Sequence, residues 1–146
     1  MMRLLIVIAA LIASLHVKAD ESPTQFIERY VGYFNAEDLQ LYQTSFEFPV
    51  VQSMGGETQI YSDRNVPMVD FEQIKKTGWV KSRIDGIKVL AQSPEAALVE
   101  FSFSRMNAEG NTFLSSTGHY GLVNTDAGWK IQSMFFVNPL TVGTER

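Results

Sequence analysis

Three apolar segments in the second half of the chain alternate between apolar and polar positions, and short turns separate them. They run from Ala96 to Met106, from Thr112 to Asn124 and from Trp129 to Val137. The two turns contain Gly110 and Gly128 beside Asn or Asp residues, which accept the backbone angles of tight hairpins. The pattern predicts an antiparallel meander of three strands.

The alternation also divides the side chains of each predicted strand between two faces. On the last strand, strict alternation sets Phe135 opposite Met134 and Phe136, and on the middle strand Tyr120 lies opposite His119. We expect one face to cover the core and the other to remain open. The core-facing positions of the first strand would be Val99, Phe101, Phe103 and Arg105.

The first element after residue 19 is predicted to be a helix. Ser22, Pro23 and Gln25 form a capping box with proline at the first helical position. The apolar residues that follow recur at helical spacing and form one stripe. They are Phe26, Ile27, Tyr30, Val31 and Phe34.

Asn35 is predicted to end this helix and to cap a second helix, which Pro49 stops. Two short strands would follow, from Pro49 to Ser53 and from Glu57 to Ser62, around Gly55. The buried side of the second helix would carry Leu39, Tyr42 and Phe46.

Asp70 is predicted to cap a third short helix, which Gly78 ends. A strand from Ser82 to Leu90 comes next, and Gly86 in its interior indicates a bulge. The last residues, Leu140 to Arg146, are expected to form a frayed tail.

Helices followed by a long antiparallel meander are typical of an α+β fold. We expect N-terminal helices packed in a curved, mainly antiparallel sheet. The length of the chain suits one domain with one core, and no repeat or linker indicates a second.

The N-terminus has the pattern of a secretory signal peptide. Arg3 precedes an apolar run from Leu4 to Leu15, and Val17 and Ala19 are small residues at the positions that a signal peptidase reads. The run is shorter than the roughly 20 residues that span a bilayer. We therefore expect cleavage after Ala19, a mature domain over residues 20–146, periplasmic or secreted localisation, and no stable membrane anchor after cleavage.

Composition narrows the possible partners and chemistry. The chain has 12 Lys and Arg against 16 Asp and Glu, and removal of Arg3 and Lys18 leaves 10 basic residues and a net charge of −6. Nucleic acids and anionic membranes require a more basic surface. Without cysteine, and with His119 as the one histidine after residue 19, thiol catalysis, thiolate zinc sites and multi-histidine metal centres are excluded. We expect no cofactor and no metal.

Several short motifs accompany this order of elements. They are Phe48-Pro49, Gly55-Gly56, Gly78-Trp79, Phe103-Ser104-Arg105, the turn from Asn107 to Gly110, Tyr120 and Gly128-Trp129-Lys130-Ile131. The order of elements resembles the nuclear transport factor two-like superfamily, and the motifs resemble a SnoaL-like subgroup of unassigned activity. This superfamily includes polyketide cyclases, ketosteroid isomerase and scytalone dehydratase, as well as binding modules and dimerisation domains. The resemblance implies the cone-shaped fold but does not select a function.

The enzymes of this superfamily suggest two catalytic candidates, His119 and Asp63. A ketosteroid isomerase-like site needs a carboxylate base with a Tyr and a protonated Asp, and the sequence does not place this trio. Asp63 is therefore either a catalytic or a solvated carboxylate. His119 is either a lone acid or base or an outward-facing histidine, because a scytalone dehydratase-like site needs further histidines.

Arg105 shares a predicted strand face with apolar residues, and a cation in that position needs a partner. It would clamp the carboxylate or phenolate of a substrate, or it would form a salt bridge or a hydrogen-bond tie to the turn from Asn107 to Gly110.

Aromatic residues could either line a ligand cavity in the cone or simply pack the core. We keep three hypotheses: binding of a small apolar or aromatic ligand without turnover, a cofactor-independent lyase, isomerase or cyclase, and a structural accessory protein. A homodimer would form through the open sheet face, with Met134 and Phe136 in the interface. The candidate ligand-binding residues are Tyr30, Phe34, Tyr61, Trp79, Arg105, Tyr120 and Phe135, with Tyr33 as a further aromatic neighbour.

Overall fold

The computed structural model describes residues 20–142, and the predicted signal peptide lies outside these residues. Helices and strands follow the predicted order. The helices are α1 (Pro23–Asn35), α2 (Leu39–Gln43) and α3 (Phe71–Lys75), and the strands are β1 (Phe46–Met54), β2 (Glu57–Tyr61), β3 (Lys81–Gln92), β4 (Ala96–Met106), β5 (Thr112–Thr125) and β6 (Gly128–Phe136).

The six strands form one mixed sheet in the order β2-β1-β6-β5-β4-β3. β1 runs parallel to β6, and every other neighbouring pair is antiparallel. The core lies between the inner face of this sheet and the helices. The predicted α+β cone with a mainly antiparallel sheet is therefore confirmed. Among residues 20–142, no helix is long and apolar enough to cross a membrane.

The start of α1 matches its prediction. The Ser22 side chain accepts a hydrogen bond from the Gln25 amide, and the Gln25 side chain accepts one from the Ser22 amide. At the other end, the prediction that Asn35 caps α2 is wrong, because Asp38 is the capping residue. The Asn35 side chain instead makes two hydrogen bonds to the backbone of Ser82, which tie α1 to β3.

The second helix is shorter than predicted. It ends at Gln43, and Phe46 already belongs to β1. Pro49 does not stop a helix but lies inside β1, after a cis peptide bond with Phe48. The pairing of β1 with β6 shifts register between Phe46 and Val51, so Pro49 occupies an irregular part of the strand where a missing donor is tolerated.

The third helix and the strand after it confirm two local predictions. Asp70 caps α3 by accepting a hydrogen bond from the Gln73 amide, and Gly78 follows the helix with a φ of 93°. In β3 the register with β4 shifts between Ile84 and Gly86, which is the predicted bulge.

The faces of β6 differ from the prediction of strict alternation. Ile131 and Ser133 pair with consecutive residues of β5, so Gln132 is an extra residue in a bulge. Beyond this bulge the alternation is inverted: Met134 and Phe136 are buried, and Phe135 is exposed. The predicted dimer contacts of Met134 and Phe136 are therefore wrong, because both side chains belong to the core.

Candidate functional site

A small cavity lies between α1 and the inner face of the sheet, with a volume of about 50 Å³. This volume exceeds the roughly 10–15 Å³ that one ordered water needs and falls far below the ~300 Å³ of the smallest drug-sized sites. Most of the lining is apolar. The lining residues are Tyr30, Val31, Phe34, Met54, Ser82, Phe101, Phe103, Arg105, Tyr120, Met134, Phe136 and Leu140.

Three buried tyrosines stand beside this cavity: Tyr30 from α1, Tyr42 from α2 and Tyr120 from β5. The Tyr30 and Tyr42 hydroxyl oxygens are 2.8 Å apart, and the Tyr30 ring meets the Tyr120 ring edge-on at 6.0 Å. Burial raises the pKa of all three phenols. They are therefore neutral near pH 7 and present O–H groups that can donate hydrogen bonds.

Arg105 reaches the cavity from the inner face of β4 and is 3% exposed. Its Nη1 donates a hydrogen bond of 2.8 Å to the Thr141 carbonyl oxygen, and its buried Nε has no hydrogen-bond partner among residues 20–142. Burial lowers its pKa, and the nearby tyrosines oppose that shift. The predicted tie to the turn from Asn107 to Gly110 is wrong, because Arg105 contacts the segment after β6 instead.

This segment, residues 139–142, is called the C-terminal strap below. Leu140 lines the cavity, Thr141 accepts from Arg105, and Val142 accepts a 2.9 Å hydrogen bond from the Asp70 amide. Pro139 lies so close to Gly55 that a Cβ built there would be 3.0 Å from the proline ring. The expectation of a frayed tail is thus wrong for this part of the chain.

The structure brings four of the predicted ligand-binding residues together, since Tyr30, Phe34, Arg105 and Tyr120 all line the cavity. Trp79 does not line the cavity but packs against Phe34, and the centroids of the two rings are 5.1 Å apart.

The other predicted aromatic residues lie elsewhere. Tyr61 is buried on β2, where its hydroxyl donates to the Gln52 side chain. Tyr33 accepts a hydrogen bond from Arg29. Phe135 is 52% exposed on the outer sheet face, because of the bulge in β6.

The two catalytic candidates are also outside the cavity. His119 lies on the outer face of β5, with its Nε2 3.3 Å from Glu100 Oε2 on β4. Asp63 is exposed and accepts a hydrogen bond from the Asn65 amide. Within residues 20–142, no carboxylate or imidazole lines the cavity, and no group of acidic residues and histidine is placed to hold a metal.

Sequence reasoning missed several residues of the site for two reasons. Met134 and Phe136 were assigned to the wrong face, because no local signal marks the extra residue in β6. Leu140 was assigned to a frayed tail, because the contact of the strap with Arg105 is distant in sequence. By contrast, Phe101 and Phe103 are on the face that alternation predicted.

A curved sheet around an N-terminal helix, with a cavity between them, defines a cone-shaped α+β protein. A comparison with protein families matches residues 20–139 to the family described as NTF2-like protein (DUF6841). The chain belongs to this family, and the resemblance to the nuclear transport factor two-like superfamily is confirmed.

Solved structures show the same fold at low sequence identity. An NTF2-like protein with a cystatin-like fold from Novosphingobium aromaticivorans is 13% identical, with a TM-score of 0.61 over 82% of this chain and 80% of that chain. An NTF2-like protein of unknown function from Shewanella oneidensis is 18% identical, with a TM-score of 0.55 over 77% and 93%.

The beta subunit of benzoate 1,2-dioxygenase from Burkholderia mallei is 10% identical, with a TM-score of 0.56 over 79% of this chain and 89% of that subunit. These similarities establish the fold alone. A comparison with curated protein sequences finds no match.

Proposed function

We propose that this protein binds a small apolar or aromatic molecule in the cavity of the cone and does not convert it chemically. The observation that carries the proposal is the cavity itself, whose mainly apolar wall is interrupted by Arg105 and by the phenols of Tyr30 and Tyr120. An apolar wall with a few convergent polar groups is the usual composition of a small-molecule site.

The volume of the cavity limits the size of its ligand. About 50 Å³ accommodates a molecule of a few heavy atoms, whereas a benzene-sized ring occupies cavities of about 150 Å³. A larger aromatic ligand therefore requires the strap to move away, and Leu140 is the strap side chain that it would displace.

The polar groups of the cavity favour binding over turnover. Proton abstraction requires a base with a pKa near the working pH. The described lining residues supply a guanidinium and phenols whose pKa burial raises, which are hydrogen-bond donors at neutral pH. A lyase, isomerase or cyclase would need a base from outside this lining.

A cavity-filling substitution tests the proposal. Val31→Phe should fill the cavity from α1 and abolish binding of acetamide, butyramide and benzamide, measured by ligand-observed NMR. Val137→Phe makes the same change at a side chain that is 72% exposed, and it should leave binding unaltered. If the wild-type protein binds none of these probes and no matching carboxylate, or if Val31→Phe binds them normally, the cavity is not the ligand site.

We also propose that the protein is exported and cleaved after Ala19. The family match begins at residue 20, directly after the predicted cleavage site. The intact mass of protein recovered from the periplasm or the medium should correspond to a chain that starts at Asp20. A cytoplasmic protein that retains residues 1–19 would refute this proposal.

A second candidate function is that of a dimeric accessory protein. The observation that favours it is the outer face of the sheet, where Val51, Ile60 and Phe135 are exposed on neighbouring strands. Exposed apolar side chains that adjoin one another mark association surfaces more often than isolated ones do.

A further inference from the structure

Arg105 is a buried cation, and the described residues 20–142 supply no counter-charge for it. No Asp or Glu among residues 20–142 forms an ion pair with it, and its one hydrogen bond is the one to Thr141. Two other arginines differ: the half-buried Arg29 pairs with Glu21 at 2.8 Å, and the exposed Arg83 pairs with Asp85 at 2.9 Å.

Burying a charge is unfavourable unless an opposite charge or several hydrogen bonds replace the lost water. A guanidinium does not escape this penalty by losing its proton, because it stays charged in proteins, and it has five N–H donors to satisfy. In this structure a single carbonyl oxygen serves these donors, and the Nε donor is left without a partner. Among residues 20–142, the site therefore lacks an acceptor atom that carries negative charge.

The unpartnered donor belongs to a residue that lines the cavity. Apolar side chains such as Phe101, Phe103 and Met134 line the same space, and the phenols of Tyr30 and Tyr120 add further donors. A guanidinium and a carboxylate form parallel N–H···O bonds in a planar fork, which a neutral ligand cannot reproduce. The cavity thus combines a cationic, donor-rich end with apolar walls.

We propose that the ligand is a small monocarboxylate with an apolar tail, whose oxygens bind Arg105 in place of the Thr141 carbonyl oxygen. This inference rests on the proposed function and adds the charge of the ligand. The strap takes part because the Thr141 carbonyl oxygen already accepts a hydrogen bond from Arg105 Nη1, an N–H donor that the carboxylate needs. A ligand that binds to Arg105 therefore competes with the strap and loosens it.

Matched acid and amide probes test the charge of the ligand. Acetate, butyrate and benzoate should each bind the wild-type protein at least about 10-fold more tightly than acetamide, butyramide and benzamide, as measured by NMR titration. Butyrate should also shift the Arg105 Nε–H resonance in ¹H–¹⁵N spectra of the wild-type protein. That measurement needs no variant and remains informative if a substitution at Arg105 fails to fold.

Two variants locate the effect. Arg105→Met should reduce the preference for the acid over the amide to about 1-fold, while Arg83→Met, a change at an exposed arginine, should retain it. If acids and amides bind equally and the Arg105 resonance does not move, the ligand is not an anion, although the cavity still binds ligands. If neither acids nor amides bind, the proposed function itself fails.

Discussion

Gly118 shows how closely the inner face of the sheet is packed. It pairs with Phe136 across β5 and β6, and a Cβ built on it would lie 2.4 Å from a carbon of the Phe136 ring. That ring is 2% exposed and packs edge-on against the rings of Phe103 and Tyr120, so a methyl group at this position would force it to give up these contacts and move towards the cavity that it lines. A glycine is therefore required here by lack of space, since its φ is not in the left-handed region.

We predict that Gly118→Ala lowers the free energy of unfolding by about 1–3 kcal/mol, the usual cost of adding a methyl group to a filled core. Urea unfolding measures this change. Gly32→Ala is the matched control, because Gly32 lies in α1 with nothing within 4 Å of the added methyl group. It should stabilise the protein by about 0.4–1 kcal/mol. Equal effects at the two positions would contradict the packing argument.

The buried tyrosines predict a loss of stability at alkaline pH. Burial raises the pKa of Tyr30, Tyr42 and Tyr120, so above pH ~10 the unfolded chain binds fewer protons than the folded one. The contribution of these three neutral phenols to the free energy of unfolding is complete below pH ~10. It is lost as the pH rises towards their pKa in the folded state. The free energy of unfolding should fall by up to about 1.4 kcal/mol per pH unit for each tyrosine.

Urea unfolding between about pH 9 and about pH 11 measures this slope. Below pH ~10, Tyr120→Phe should lower stability because a buried hydrogen-bonding group is lost. Above pH ~10 its slope should be shallower than that of the wild-type protein, so the difference between the two proteins should shrink. An identical slope in the two proteins would show that Tyr120 ionises in the folded state as it does in the unfolded chain.

At the scale of elements, the bulge at Gln132 decides which residues of β6 enter the core. Before the bulge Trp129 and Ile131 are buried, and after it Met134 and Phe136 are buried. The extra residue bends the strand and restores the inward orientation after it. The curvature of the sheet and the composition of the cavity wall therefore depend on the same residue.

Two single-residue deletions in β6 test the role of the bulge. Deleting Gln132 leaves Trp129 and Ile131, and also Met134 and Phe136, facing inwards. The protein should therefore fold, with a free energy of unfolding lower by about 0.5–3 kcal/mol. Deleting Phe135 turns Phe136 to the outer face, because a shift of one residue inverts a strand, and the loss should reach about 3–5 kcal/mol or prevent folding. Urea unfolding and near-ultraviolet circular dichroism measure both. A larger loss for the first deletion would contradict this assignment.

At the scale of the whole molecule, the helices of residues 20–142 pack against the inner face of the sheet. On the outer face, Val51 pairs with Ile60 across β1 and β2, while Phe135 pairs with Ser53 across β6 and β1. Val51 and Phe135 are thus diagonal neighbours on the two parallel strands. These three residues form an apolar patch in place of the one expected around Met134 and Phe136.

We predict a homodimer that buries this patch. Light scattering should show a dimer for the wild-type protein, and Phe135→Lys should yield a monomer, because the added charge would be buried without a partner. Leu41→Lys is the control, since Leu41 is similarly exposed but belongs to α2. A wild-type protein that stays monomeric at all accessible concentrations would leave the patch without this role.

The sequence by itself determined the elements whose signals are local. The capping box at Ser22, the cap at Asp70, the bulge near Gly86 and the alternation in β4 were all predictable, because each depends on residues within a few positions. The alternation in β4 also placed Arg105 on the buried face. Together with the apolar stripe of α1 and the alternation in β5, these signals sufficed for the α+β class and for Tyr30, Phe34, Arg105 and Tyr120 at the cavity. The cone shape was implied by the family resemblance.

Only the tertiary structure decided the features that depend on residues distant in the chain. The bulge at Gln132 follows from pairing with β5, the pairing of His119 with Glu100 crosses two strands, and the partner of Arg105 is Thr141. No residue near these positions specifies them, because register, curvature and the path of the C-terminal strap are settled by the packing of the whole sheet. For the same reason, the size of the cavity and the surroundings of Arg105 could not be read from the sequence.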